Sequence, residues 1–278
     1  MKYTSLLRAF LLLECLFPFV AAPAQHMTAA DLLGDAASLG LGGMMPSESR
    51  DTRAATDTFT GFRLQHVQAD FRMPYLRPQL YGRALHLACT RQHERFRLHL
   101  AATGSPSTLS VQTAVFSLKR PFFPRLDFEA DAGFNRLAEN GRYHFTWLAG
   151  ISFFYTNDSV TDFYFRTFNL LPSNVYGYHT DFRLGVSHRI SANLLLTGEM
   201  EKQIAEPLLW RAAGEYLLGR TSGKGKAIMR IGGRWPYPCL NCGLGYLFKG
   251  WQVDWGLSFT PDLPVSLAGS IRYSPSRP

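Results

Sequence analysis

From about Thr58 to Tyr273 the chain repeats one pattern, apolar and polar residues alternating with a period of two in segment after segment. That period is the signature of a β-strand, whose successive side chains point to opposite faces. FPRLDFEADAGF, residues 123–134, shows it most sharply: Asp127, Glu129 and Asp131 share one face, and Leu126, Phe128, Ala130 and Ala132 the other. Two folds satisfy such a strand. In a soluble sheet the acids face water and the apolar residues a core. In a membrane barrel the acids face a watery lumen and the apolar residues face lipid.

The remaining segments extend the pattern. Arg95, Arg97 and His99 oppose Phe96, Leu98 and Leu100, and Asp181 and Arg183 oppose Phe182, Leu184 and Val186. Glu199 and Glu201 oppose Leu194, Leu196 and Met200, and Arg211 and Glu215 oppose Trp210, Tyr216 and Leu218. Arg230 and Arg234 oppose Met229, Ile231 and Trp235. In LSVQTAVF, Leu109, Val111 and Val115 are expected on the apolar face, opposite Ser110 and Gln112. The links are short and rich in Gly, Pro and Asn, such as LAENG, FKG and TPDLP, as hairpins require. The expectation is an all-β antiparallel meander of about 12 strands, rising to 14 if Thr58–Met73 contributes.

Three further features decide for the membrane. Aromatic residues gather near strand ends on the apolar faces (Tyr143, Tyr155, Trp235, Trp251, Phe259 and Tyr273), where lipid meets water. Many segments have the length of about 9–11 residues that a tilted strand needs to cross. Residues 1–24 read as a signal peptide: Lys2 and Arg8, an apolar run, then small residues before a cleavage point after Ala24. No later run is long and apolar enough for a spanning helix, so a membrane protein of this sequence has to be a barrel. The formal charge of +8 comes from basic residues scattered singly, which argues against nucleic acid and for anionic lipid headgroups as the counter-charge. The expected organisation is a signal peptide (1–24), a Gly- and Ala-rich, aromatic-free plug segment (25–57) and an up-and-down transmembrane barrel (58–278).

On that reading Asp127, Glu129, Asp131, Arg95, Arg97, Arg183, Glu199, Arg211, Glu215, Arg230 and Arg234 form a charge network inside the lumen, because buried charges are tolerable only with partners or water. Cys239 and Cys242, in PCLNC, are expected in a loop, as a disulfide or as free thiols. No metal or cofactor is expected: the eight His residues are scattered without metal-binding spacing, and no second CxxC accompanies the first. No nucleophile motif points to catalysis, although paired carboxylates on a barrel wall leave an outer-membrane enzyme open.

The segments LGDAASLGLGG (33–43), FRLGVSHRISANLLLTGEMEKQIAEPLLWRAAGEYLL (182–218) and CGLGYLFKGWQVDWGLSFTPDLPVSLAGSIRY (242–273) resemble FadL-like outer-membrane proteins, a group that includes fatty-acid transporters and the PorV and PorQ-type proteins of type IX secretion. The resemblance implies about fourteen strands, a lumen plugged by the N-terminal segment, and the outer membrane of a Gram-negative bacterium. It implies one of two roles: a non-enzymatic partner of secretion-system or surface proteins, or a transporter of a hydrophobic ligand. The chain is short for this group and has little room for large loops.

Overall fold

The computed structural model describes residues 63–73, 81–91, 94–105, 109–139, 142–158, 160–168, 170, 180–204, 206–218, 225–261 and 265–275. The expectations for the signal peptide and the plug segment lie outside these residues.

Fourteen strands follow one another: β1 (Arg63–Met73), β2 (Tyr81–Arg91), β3 (Glu94–Ser105), β4 (Leu109–Phe123), β5 (Leu126–Glu139), β6 (Arg142–Thr156), β7 (Thr161–Phe168), β8 (Asp181–Arg189), β9 (Leu194–Gln203), β10 (Leu209–Leu218), β11 (Lys226–Trp235), β12 (Cys239–Phe248), β13 (Trp251–Phe259) and β14 (Ser266–Tyr273). Each pairs antiparallel with the next, and β14 pairs with β1 to close the barrel. Closure removes every sheet edge, which lets a backbone sit in lipid with its hydrogen bonds satisfied. The turns are cheap where the sequence supplies the right residues. Between β12 and β13, Lys249 and Gly250 both adopt positive φ, 46° and 85°, the pair of left-handed conformations that a two-residue hairpin demands.

The barrel is inside out. Among the described residues, 35 large hydrophobic side chains are exposed, while the buried set holds 24 polar or charged residues against 12 apolar ones. A soluble sheet would show the reverse, so the exposed face is the one that meets lipid. Trp147, Trp235, Trp251 and Trp255 are all at least half exposed on that face. Aromatic side chains ring both ends: Phe122, Tyr155, Tyr216, Tyr246, Trp251 and Tyr273 near the end where the chain enters and leaves, and Phe134, Trp147, Phe182, Trp235 and Phe259 towards the other. Trp251 and Tyr273 lie against each other with ring centroids 4.7 Å apart.

One strand departs from its expected facing. On β4, Thr113, Val115, Ser117 and Lys119 are buried and point inward, while Gln112 and Phe116 are exposed. The expected apolar face is therefore the lumen face over its first half. Val115 and Leu148, both almost fully buried, share a row across Gly133, whereas buried Leu137 lies two inward rows away, beyond the hydrogen-bonded pair of Thr113 and Asn135. The described strands are of unequal length. β3 to β6 run 12 to 15 residues, whereas β7 to β14 run 8 to 10. β6 pairs with β7 over Ile151–Thr156, and beyond β7 the Leu170 N–H donates to Ala149 O at 2.8 Å.

Candidate functional site: the charged lumen

Fourteen strands about 4.8 Å apart and tilted by about 40° enclose a wall roughly 27 Å across, wide enough that short side chains would leave an open pore. Long charged side chains occupy the interior instead, in clusters that follow one another round the wall.

The first cluster spans β3 to β7. Glu129, 1% exposed, is ion-paired with Arg97, and Arg166 Nη2 lies 3.6 Å from the same oxygen. Lys119 Nζ lies 3.4 Å from Asp127 Oδ2. Asp131 accepts a hydrogen bond from Ser117, its register partner. Phe154 sits between two cations, with Lys119 Nζ 3.9 Å and Arg166 Cζ 5.3 Å from its ring centroid. The electron-rich ring face holds these charges in place without adding another acid. Arg95 is buried on the same face, opposite Lys119 in register.

The second cluster spans β7 to β10 and is the densest. Arg211 donates to Glu199 at 2.8 Å and lies 2.6 Å from Glu201. Arg183 donates to Asp181 at 2.9 Å through Nε and reaches Glu201 at 2.9 Å through Nη2. Tyr164 donates its hydroxyl to Glu199 at 2.7 Å. The ring can lie there only because its register partner is Gly185: a Cβ at that position would sit 2.1 Å from Tyr164 Cζ.

The third cluster spans β10 to β13, where Arg230 donates to Glu215 at 2.7 Å and to Asp254 at 2.5 Å, and Gln252 donates to the other oxygen of Asp254 at 2.7 Å. The circle is completed across the closing seam. Arg272 donates to Gln68 at 2.7 Å, Gln68 donates to Asp70 at 2.9 Å, and His86 Nε2 lies 2.7 Å from Asp70 Oδ2. His86 and His99 face each other through their Nδ1 atoms at 2.7 Å, so one of them carries the proton that the other accepts.

The structure thus places Asp127, Glu129, Asp131, Arg95, Arg97, Arg183, Glu199, Arg211, Glu215 and Arg230 on the lumen face, most of them in ion pairs. Arg234 also points inward but stands apart, opposite Arg211 and Cys239 in register and with no acid partner among the described residues. Sequence reasoning did not single out Lys119, Tyr164, Asp70 or His86. Lys119 adjoins Arg120, and nothing local says which of the two faces in. Tyr164 lies in the run Phe163-Tyr164-Phe165, where alternation allows only the middle ring inside, and the hydroxyl marks it as the one with a use for a polar partner.

The cysteine expectation is corrected. Cys239 and Cys242 are not in a loop; both lie on β12, as free thiols. Three positions apart on a strand they point to opposite faces, so their sulfurs cannot meet. Cys239 is inside, 3.1 Å from Ser258 Oγ, and Cys242 is outside. Among the described residues no group of His, Cys, Asp and Glu side chains is arranged to hold a metal ion.

No family model and no curated protein sequence matches the chain. Solved structures do. The TodX deltaS2S3 mutant, a monoaromatic hydrocarbon channel, overlays with a TM-score of 0.61 over 88% of this chain and 99% of that one, at 9% identity. The KdgM porin gives 0.44 over 75% of this chain and 98% of its own, at 9% identity, and CdiB from Acinetobacter baumannii 0.47 over 76% and 60%, at 12% identity. The last two agree too loosely to argue from, and the likeness to TodX speaks for the fold. That fold, with its exposed apolar band and polar interior, is a closed antiparallel β-barrel of the outer-membrane type.

Proposed function

We propose that the protein is a FadL- or PorV-like component of the outer membrane of a Gram-negative bacterium, working without catalysis in protein export or in the attachment of exported proteins to the surface. The observation that carries this reading is the ring of paired charges round the lumen. Fixed ion pairs with few solvent-exposed polar atoms suit a rigid, self-filled barrel and resist the passage of an apolar molecule, which needs a continuous apolar path. A barrel filled in this way acts through its rims and outer wall, on other macromolecules.

A second reading, a transporter of hydrophobic small molecules, is favoured by the likeness to a hydrocarbon channel and by the inward-facing Val115 and Leu148. A deletion strain separates the two. The expected result is loss of a defined set of proteins from the cell surface and medium, with unchanged uptake of a labelled aromatic hydrocarbon and of a labelled fatty acid. Uptake that depends on the protein, with an unaltered surface proteome, would establish the transporter instead. Purified protein in a planar bilayer is expected to show no steady conductance.

A further inference from the structure

The outer wall of β2 to β6 carries a band of residues that neither the lumen nor the lipid explains. The register sets three outward rows side by side. The first, nearest the membrane centre, is Leu85, Leu100, Ala114, Phe134 and Trp147. The next, towards the far end, is Arg83, Ala102, Gln112, Arg136 and Phe145. The third is Gly104, Ser110, Ala138 and Tyr143. Within one step along the strands the wall turns from wholly apolar to basic, and it does so where the far aromatic ring lies. No acid occurs in these rows.

Two arginines that merely reach for water would need no arrangement, yet these are arranged. They sit in the same row with Ala102 and Gln112 between them, and the row above is floored by Gly104, Ser110 and Ala138. Arg136 is held in place, its guanidinium stacked 4.3 Å from the Tyr143 ring centroid and donating to Gln112 Oε1 at 3.3 Å. The planar group has five N–H donors, so this anchoring leaves others facing outward. Three strand spacings separate the two arginine positions, roughly 14 Å. That is the span of a two-sugar headgroup bearing a phosphate at each end. Exposed Phe145 and Tyr143 offer ring faces beside it, 69% and 57% accessible.

We propose that this face binds the phosphorylated sugar headgroup of a membrane glycolipid, Arg83 and Arg136 each engaging a phosphate and the aromatic pair lying against a sugar ring. Arginine suits the task because its fork matches phosphate oxygens in pairs. The row from Arg83 to Phe145 is the first beyond the wholly apolar row, at the far aromatic ring and so at the level where headgroups lie. The inference rests on the barrel being in the membrane and not on the export reading, so the two fail separately.

The test is lipid binding to the full-length protein in detergent micelles, followed by native mass spectrometry, with a diphosphorylated disaccharide lipid, its monophosphorylated form and phosphatidylglycerol as probes. The expected order is diphosphorylated, then monophosphorylated, then phosphatidylglycerol, with at least tenfold between the first and the last. The double variant Arg83→Gln/Arg136→Gln is expected to lose about tenfold for the first lipid while keeping the resistance to unfolding in SDS of the parent barrel. Gln112→Glu, which removes no arginine but sets a carboxylate between the two, is expected to weaken binding in the same direction and serves if the double variant does not fold. Unchanged binding by either folded variant, or equal binding of phosphatidylglycerol, would overturn the proposal.

Discussion

Gly185→Ala tests the packing of the lumen at its tightest point. Tyr164 and Gly185 are direct register partners, and the tyrosine ring lies flat over the glycine. A Cβ at 185 would stand 2.1 Å from Cζ, 2.3 Å from the hydroxyl oxygen and 2.5 Å from Cε1, all far inside contact distance. The strand backbone is fixed by pairing on both sides, so the ring has to move. Moving it breaks the 2.7 Å bond to Glu199, a hydrogen bond to a charged acceptor worth about 1.5–3 kcal/mol. Overpacking adds about 1–3 kcal/mol, so the sum is about 2.5–6 kcal/mol. The assay is equilibrium unfolding in urea of the barrel refolded in lipid vesicles, read by the linear dependence of free energy on denaturant. Tyr164→Phe, which keeps the ring and loses only the bond, should cost about 1.5–3 kcal/mol. In a Tyr164→Ala background the alanine at 185 should cost less than about 0.5 kcal/mol, because the two changes share one contact. A Gly185→Ala barrel that unfolds at the parental midpoint would refute the argument, as would full additivity of the two substitutions.

Three other outcomes are expected. Arg211→Met leaves Glu199 and Glu201 facing each other with one fewer cation and should destabilise the barrel by about 3–5 kcal/mol, read as a fall in urea midpoint at constant slope. Cys89 and Cys242 face outward and Cys239 inward; a lipid-soluble maleimide should therefore label the first two in vesicles and a charged thiol reagent none of the three, with identical migration in the presence and absence of reductant. Asp158, in the turn between β6 and β7, accepts hydrogen bonds from the backbone N–H groups of Val160 and Thr161, and these hold its carboxyl below the usual range. Its contribution is complete above the unfolded value of about 3.9 and is lost as pH falls towards the depressed folded one. The protection of these amides relative to intrinsic exchange should accordingly fall below about pH 4, and Asp158→Asn should remove this dependence.

The barrel was legible because lipid enforces alternation on one face of nearly every strand, and alternation survives in the sequence without knowledge of the neighbours. The weak segment VTDFYFRTF became β7, and Thr58–Met73 yielded β1, which brings the count to fourteen. β4 misled because its first half breaks the alternation seen on the other strands. Gln112 can face out there and Val111 and Val115 in, so apolar character stops marking the membrane side. The cysteines misled for a different reason. PCLNC has the Pro and Asn of a turn, but the turn residues are Pro236 to Pro238 and β12 begins at Cys239. The polar faces marked which charges point inward, whereas pairing depends on register between strands, which a single sequence does not display. Arg234 shows the difference, since it faces the lumen like its neighbours and yet meets no acid among the described residues.

The seam between β1 and β14 has a cost that appears only while the chain is being built. Arg272 and Gln68, joined there by a hydrogen bond, lie 204 residues apart. The first strand therefore emerges long before its last partner exists, and until that partner arrives both ends of the growing sheet present raw backbone to their surroundings. In lipid such an edge has no water to satisfy it. In water the outward aromatic face has nothing to hide against. A half-built barrel is thus at home in neither medium, and a chain cut short of Ser266 would lack the final strand and with it the seam. Insertion has to be guided by something that lends an edge to β1 or β14 and gives it back when the two meet.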